Sequence, residues 1–287
     1  MPHKTCSLDC VYCECGKTTH LTVKQKIYTP PEEIRQELDR FLSPNPRLDH
    51  VTFSGSGEPT LHSGIGELIG FLKSAHPNYR VALLTNGTLF HDPRIRKAVA
   101  EVDIVIASLD AATEDTFARL NRPHPGLNLA DMIEGLVALR KEFANQLWLE
   151  IFIVPGMNDT AEELAEIRKA VRKINPDTIH LNSLDRPGTE AWVNPLGREK
   201  LIEIQEIIEK SEIIHYTSTS GYKPLHLKNE HQHIIATLKR RPCTAEDVSR
   251  ITGVAVNDVQ RHLDALSREG RIQKQNMPRG DFYKLKI

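Results

Sequence analysis

Four cysteines, Cys6, Cys10, Cys13 and Cys15, lie within ten residues of one another, and the fifth, Cys243, is far away. Thiols packed so closely in a chain with no disulfide-rich character point to metal or cluster binding. The spacing Cys6-x3-Cys10-x2-Cys13 puts three thiolates on one short loop. Three can occupy three corners of an iron–sulfur cubane and leave the fourth iron open to a small molecule, as catalytic zinc keeps one position open. Structural zinc is the alternative on the cysteines alone, with Cys15 or His20 as fourth ligand. A second run with chemical potential is Ser54-Gly55-Ser56-Gly57-Glu58-Pro59-Thr60. Glycines let backbone approach a ligand closely, and Glu58 can accept from an ammonium group. A plain strand-to-helix turn is the simpler reading of that run.

These residues need elements to hold them. Apolar periodicity predicts helices at 30–42, 64–76, 93–101, 129–143, 160–174 and 197–210, and strands at 50–53, 80–85, 103–108, 147–154, 178–182 and, weakly, 212–216. Regular β-α alternation with buried-type strands calls for an α/β fold with a parallel sheet, either a barrel or a doubly wound sheet. Polar residues recur at the carboxyl ends of the strands, which form the active face of barrels. Thr85-Asn86-Gly87 and Ser108-Leu109-Asp110 stand at two such ends; each alone reads as a turn or a helix cap. Val154-Pro155-Gly156-Met157-Asn158-Asp159 follows the next strand. Asn182 and Asp185 follow the one after, facing either substrate or solvent.

The pattern changes after Gly221-Tyr222-Lys223-Pro224. Helices are predicted at 230–241, 244–252 and 255–268, with Thr244 as N-cap, and a hairpin at 270–286 around Pro278-Arg279-Gly280. Three helices and a hairpin suggest a winged helix-turn-helix domain. Residues 226–287 hold five Lys and seven Arg against seven acids, a net of +5, whereas the whole chain of 287 residues is at −1. The expected division is therefore 1–220 and 221–287, with the boundary near 217–227. An overall charge so close to zero gives no global pull toward nucleic acid or membrane. No apolar run approaches the roughly 18–20 residues of a membrane span, and Met1-Pro2-His3-Lys4 does not read as a signal peptide. A cytoplasmic chain with no membrane partner is expected.

Cys6-x3-Cys10-x-Tyr12-Cys13 resembles the signature of the radical S-adenosylmethionine (SAM) superfamily, aromatic residue included. The resemblance implies a partial (β/α)6 TIM-type barrel and a [4Fe–4S] cluster on Cys6, Cys10 and Cys13. The open iron would chelate SAM. The reduced cluster would cleave SAM to methionine and a 5′-deoxyadenosyl radical, which takes hydrogen from substrate. A one-electron donor of flavodoxin or ferredoxin type is implied as partner. Tyr12 would lie near adenine. Gly55, Ser56, Gly57 and Glu58 look like the family's glycine-glycine-glutamate motif for the SAM amine, with serine as its first residue. Asn86, Ser108 and Asp110 look like positions that contact the SAM ribose and carboxylate, and 154–159 is similar to a segment that borders SAM. In this family a barrel strand precedes the cysteine loop, so a further segment of roughly 15–30 residues upstream of Cys6 is expected.

Within the superfamily the chain most resembles the wyosine-synthase-like, tRNA-modifying branch. Lys4-Thr5-Cys6 through Thr18-Thr19, the 54–60 segment, Ser108-Leu109-Asp110 and Leu120-Asn121-Arg122-Pro123 carry that likeness. The extra N-terminal cysteines of the tRNA enzymes have no counterpart here. The substrate is left open among an RNA base, a peptide and a small molecule. Residues 226–287 could meet nucleic acid through Arg261, Arg268, Arg271 and Lys274, or dock a protein. The alternative from another class is an iron–sulfur redox-sensing, DNA-binding regulator. Cys15 reads as a spare thiol and Cys243 as a partly buried structural residue.

Overall fold

The computed structural model describes residues 4–214 and 230–286. They fall into two compact units. The first takes in the chain up to Val11, Lys17–Ser183 and Leu196–Ile214. The second combines Tyr12–Gly16, Leu184–Pro195 and the chain from His215 onward. The boundary expected near 217–227 lies outside the described residues. No helix among the described residues is long and apolar enough to cross a membrane.

In chain order the first unit contains β1 (Thr5–Cys6), β2 (His20–Leu21), α1 (Pro31–Leu42), β3 (Val51–Phe53), α2 (Ile65–Ala75), β4 (Val81–Thr85), α3 (Pro93–Ala98), β5 (Ile104–Ser108) and α4 (Glu114–Thr116). It continues with α5 (Leu129–Glu142), β6 (Gln146–Ile153), α6 (Ala161–Ile174), β7 (Thr178–Ser183), α7 (Arg198–Ile207) and β8 (Ser211–Ile213). Strands β3 to β8 form one six-stranded sheet in sequential order, and every neighbouring pair is parallel.

Side chains alternate across a strand, and one alternate set faces the helices. Val81 and Leu83, Val105 and Ala107, Leu147, Leu149, Ile151 and Ile153, and Ile179 and Leu181 share a single core with Leu72 of α2, Leu136 of α5, Ile167 of α6 and Ile204 of α7. A doubly wound sheet would bury both alternate sets under helices; here one set carries the core. Helix ends follow local chemistry. Thr160 accepts from the Glu163 amide at the start of α6, Glu162 and Glu163 lie at its positive end, Arg172 and Lys173 at its negative end, and Asn175 closes it in the left-handed region at φ 55°.

Three expectations change in detail. The short stretch before Cys6 does form a strand, but β1 pairs with β2, Thr5 opposite His20, and stays outside the six-stranded sheet. Helix α3 stops at Ala98 because Val99 leaves helical geometry. The last strand is described only over Ser211–Ile213.

The second unit contains α8 (Glu230–Arg240), α9 (Ala245–Thr252), α10 (Val256–Arg268), β9 (Ile272–Met277) and β10 (Gly280–Leu285). The two strands form an antiparallel hairpin whose turn is Pro278-Arg279, with Gly280 at φ 134°. Ile234, Leu238, Val248, Val259, Leu263, Leu266, Ile272 and Tyr283 make its core. Thr244 and Asp247 form a reciprocal capping box at the start of α9, and Gly253 ends that helix at φ 77°.

Candidate functional site

Cys6 ends β1, and the chain from Ser7 to Val11 is pinned to residues 120–124 by backbone bonds. Asp9 N donates to Asn121 O at 3.0 Å, Val11 N to Leu120 O at 3.0 Å and His124 N to Ser7 O at 2.9 Å. The partner segment has unusual backbone. Glu114–Thr116 runs into a π-helical turn, Phe117–Asn121, which ends on Arg122 at φ 46°. π-turns arise where the helix ladder is adapted to a site. Their product here is a short, strained corner that delivers the Asn121 side chain to the cysteines: Asn121 Nδ2 lies 3.4 Å from Cys10 Sγ and donates to Asp110 Oδ2 at 3.0 Å.

A second amide does the same for Cys6. Asn86 Nδ2 lies 3.5 Å from Cys6 Sγ and 2.9 Å from Ser7 Oγ, while Asn86 Oδ1 accepts from Thr88 N and Thr88 Oγ1. Cys6 and Cys10 rest on an apolar floor of Leu8, Ala111, Phe117, Leu129 and Met132. Both are half-buried and outside any disulfide, as are Cys13 and Cys15.

Glu58 is the knot beneath Asn86. It is 2% exposed. Its Oε1 accepts from Thr60 N, Thr60 Oγ1 and Thr85 Oγ1 at 2.6–3.0 Å, and Oε2 accepts from Asn86 N at 2.7 Å. Burial holds the Glu58 carboxyl above the usual carboxylate range, and these hydrogen bonds pull against that shift. Oε2 has one internal donor, so a lone pair is left for an outside one. Gly57 is glycine for a steric reason: a Cβ there would sit 1.9 Å from the Thr5 carbonyl oxygen. Gly55 is exposed and Ser56 half-buried on the same turn.

Asp110 is buried, and Phe152 N donates to its Oδ1 at 2.9 Å. Asn158 is fully buried and braces the same point, donating to Asp110 O and Phe152 O and accepting from Val154 N. The 154–159 segment is thus a structural brace around the β5 and β6 ends. Ser108 is half-buried at the end of β5. Glu163, which sequence reasoning passed over as a helix acid, is 3% exposed; it accepts from Ala112 N, Thr113 Oγ1 and Thr116 Oγ1, fastening α4.

In the second unit, Tyr12–Gly16 is gripped by the segment after β7. Thr189 Oγ1 donates to Cys13 O at 3.0 Å, and a Cβ on Gly188 would lie 2.8 Å from Tyr12 O. Glu14 pairs at 3.3 Å with Arg186, whose side chain is only 6% exposed. Arg186 also reaches Asp247, and Arg279 holds Asp247 bidentately at 2.9 Å and Asp185 at 3.0 Å. Asp185 is therefore neither a free loop residue nor an open substrate contact. Burial pushes the Glu14 carboxyl up against the opposing pull of Arg186. Cys243 is fully buried, and its backbone exchanges both hydrogen bonds with Tyr283.

The cysteine segment, the π-turn that serves it and the parallel sheet behind them coincide with one family. The chain belongs to the radical SAM superfamily, whose family model matches residues 2–170, and it is an enzyme of that class. It is 31% identical over 278 residues to a protein named GTPase Obg from Brachyspira hyodysenteriae, across 96% of this chain and 41% of that one. The chain thus spans about two-fifths of that relative's length. It is 32% identical over 195 residues to UPF0026 protein slr1464 from Synechocystis, across 68% of this chain and 69% of the relative. Among solved structures it is similar in fold to TYW1 with a lysine-pyruvate adduct bound, at TM-score 0.50 and 18% identity over 71% of this chain and 69% of that one.

Enzymes of this superfamily bind a [4Fe–4S] cluster and SAM. The residues present fit the cluster: half-buried thiols outside any disulfide, with Cys6 and Cys10 on an apolar floor and a side-chain amide directed at each of those two sulfurs. Hydrogen bonds to cluster sulfurs are the expected second layer of such a site. Among the described residues no three His, Cys, Asp or Glu converge as one metal ion would require. A cubane asks less, because each thiolate binds a different iron.

Proposed function

We propose that this chain is a radical SAM enzyme with one [4Fe–4S] cluster on Cys6, Cys10 and Cys13, in a partial (β/α)6 barrel. The observation that carries the reading is the pair of amides, Asn86 and Asn121, set at the sulfurs of Cys6 and Cys10. The chemistry supplied by the bound group is one-electron cleavage of SAM to methionine and a 5′-deoxyadenosyl radical that takes hydrogen from substrate. The chain's own residues bind and orient. Cys6, Cys10 and Cys13 hold three irons. The open lone pair of Glu58 Oε2 and the backbone of Gly55, Ser56 and Gly57 receive the SAM ammonium group. Asn86, Ser108 and Asp110 border the ribose and carboxylate, and Tyr12 the adenine. A flavodoxin- or ferredoxin-like donor supplies the electron.

The described residues 230–286 read best as a winged helix that docks protein. Three of the four cations expected on phosphates are matched by acids, Arg261 by Asp258, Arg271 by Glu269 and Lys274 by Asp281, and Arg268 donates to the Asp264 carbonyl. Such pairs reduce the cations held ready for phosphates.

Anaerobic reconstitution followed by dithionite and SAM tests the enzyme reading. Wild type should bind about four irons per chain and form 5′-deoxyadenosine, and Cys10→Ala should do neither. A fully loaded protein that makes no deoxyadenosine would favour the redox-sensing regulator instead.

A further inference from the structure

The sheet has a second face, and its chemistry differs from the first. A parallel sheet is normally buried on both sides and apolar on both. Here the alternate set away from the helices includes Thr52, Leu84, Ile106, Ser108, Trp148, Glu150, His180 and Asn182. None of these is buried, and Leu84 is 40% exposed, whereas Ala82, Ile104 and Phe152 of the same set are buried. The parallel register sets Ser108 beside Glu150 and Glu150 beside His180, so three polar side chains stand in one row across β5, β6 and β7. Asn182 Nδ2 donates to Glu150 Oε1 at 3.0 Å. His180 stands edge-on to Trp148 with ring centroids 5.0 Å apart.

This row is not satisfied within itself. Asn182 is the only hydrogen-bond partner of the Glu150 carboxylate among the described residues, and no described cation pairs with it. Trp148 Nε1 is buried without a partner among them. A half-buried carboxylate with one neutral donor and no counter-ion is costly to keep. On a core strand flanked by Leu149 and Ile151 it has no folding role: the helix-facing residues make the core without it. Asp103, by contrast, holds Lys73 at 2.6 Å.

We infer that this open face is a substrate pocket in which Glu150, steadied by Asn182 and flanked by His180 and Ser108, receives a protonated amine of the substrate. The inference rests on the enzyme reading above and narrows its substrate to an amine-bearing molecule. The carboxylate supplies the charge complement, Asn182 fixes its plane, and the Trp148 and His180 rings wall the amine's apolar neighbour.

The chain has two tryptophans, so a Trp192→Phe protein leaves Trp148 as sole reporter. Its fluorescence is followed while n-butylammonium chloride is titrated at constant ionic strength, with n-butanol as the neutral match. The amine should give a saturable change and the alcohol none. Glu150→Gln, an isostere to which Asn182 can still donate, should weaken amine binding about tenfold or more. Asn182→Ala, which leaves the charge in place, should weaken it less. Near-ultraviolet dichroism checks that each variant is folded. The same titration on a Cys10→Ala background should be unchanged, since the pocket needs no cluster. Equal binding of amine and alcohol, equal binding by Glu150→Gln, or no saturable signal would overturn the inference while leaving deoxyadenosine formation to decide the enzyme reading separately.

Discussion

Replacing Asp247 by alanine should unlock the second unit. The Asp247 side chain is 1% exposed, yet it receives Arg186 Nη1 at 3.3 Å, both Arg279 Nη atoms at 2.9 Å and the Thr244 amide at 3.3 Å. Alanine removes these acceptors at once and takes the buried carboxylate from two guanidiniums, one 6% and one 22% exposed, leaving Glu14 and Asp185 beside them. Breaking a buried ion pair from one side costs about 3–5 kcal/mol. At tenfold per 1.4 kcal/mol, a loss of about 3 kcal/mol makes opening of the unit roughly a hundredfold more frequent. Hydrogen exchange resolved by peptide is the assay, because two units need not unfold together. Peptides over 245–268 and 272–285 should lose protection by that factor, and so should 12–16, which belongs to the same unit. Peptides over β4 to β7 should not change. Iron uptake should also fall, because Thr189 holds the Cys13 carbonyl and Arg186 the Glu14 side chain next to it. Exchange accelerated by less than about fivefold, or accelerated equally in β4 to β7, would refute the reasoning; the first would mean that this cluster is no better than a surface pair.

Other expectations follow from the first unit. Because burial raises Glu58, the folded state holds its proton more tightly than the unfolded chain does; this group's contribution is therefore greatest below the unfolded value of 4.5 and is lost as pH rises toward the folded value. Urea midpoints of wild type should thus gain on those of Glu58→Gln as pH falls from 7 toward 5, and parallel curves would contradict this. Gly57→Ala should cost about 1–3 kcal/mol or more by driving the Thr5 carbonyl out of place, whereas Gly55→Ala, with only Gly57 N at 3.9 Å, should be tolerated; chemical unfolding of the two variants separates them. In reconstituted protein, Asn121→Ala should move the cluster midpoint to more negative potential, since amide donors to sulfur favour the reduced, more negative state. Electron paramagnetic resonance during redox titration reads the shift, and an unchanged midpoint would show that the amide does not reach sulfur.

Much of the first unit was legible because its signals are periodic. Every sheet strand predicted within the described residues forms, within a residue or two at each end, since runs such as Val81–Thr85 and Gln146–Ile153 are apolar where they meet the helices. The knots were not legible. Asn121 stood within a run that resembled the family, but nothing in Leu120-Asn121-Arg122-Pro123 announces a π-turn or a left-handed arginine. That geometry exists because residues 8–11 supply backbone partners more than a hundred positions away in sequence. Glu163 and Asp247 read as first-turn helix acids, which they are; their burial depends on loops and arginines brought in by tertiary packing.

The alternation in β6 and β7 is hard to read for a physical reason. Glu150 and His180 interrupt strands that otherwise look fully buried, and in a single sequence an interruption has no direction. Only the register, which sets Ser108, Glu150 and His180 level with one another, turns three scattered polar residues into one row. A row of that kind differs from the knots at Glu58 and Asp110. Those carboxylates each collect donors from the surrounding backbone and side chains, and so act to hold strand ends in place. Glu150 collects one amide donor and lies on the face without helices, so its remaining capacity is directed at whatever fills that face. Glu58 and Asp110 thus spend most of their acceptors on holding the strand ends beside the cysteines, whereas Glu150 keeps most of its own for a substrate.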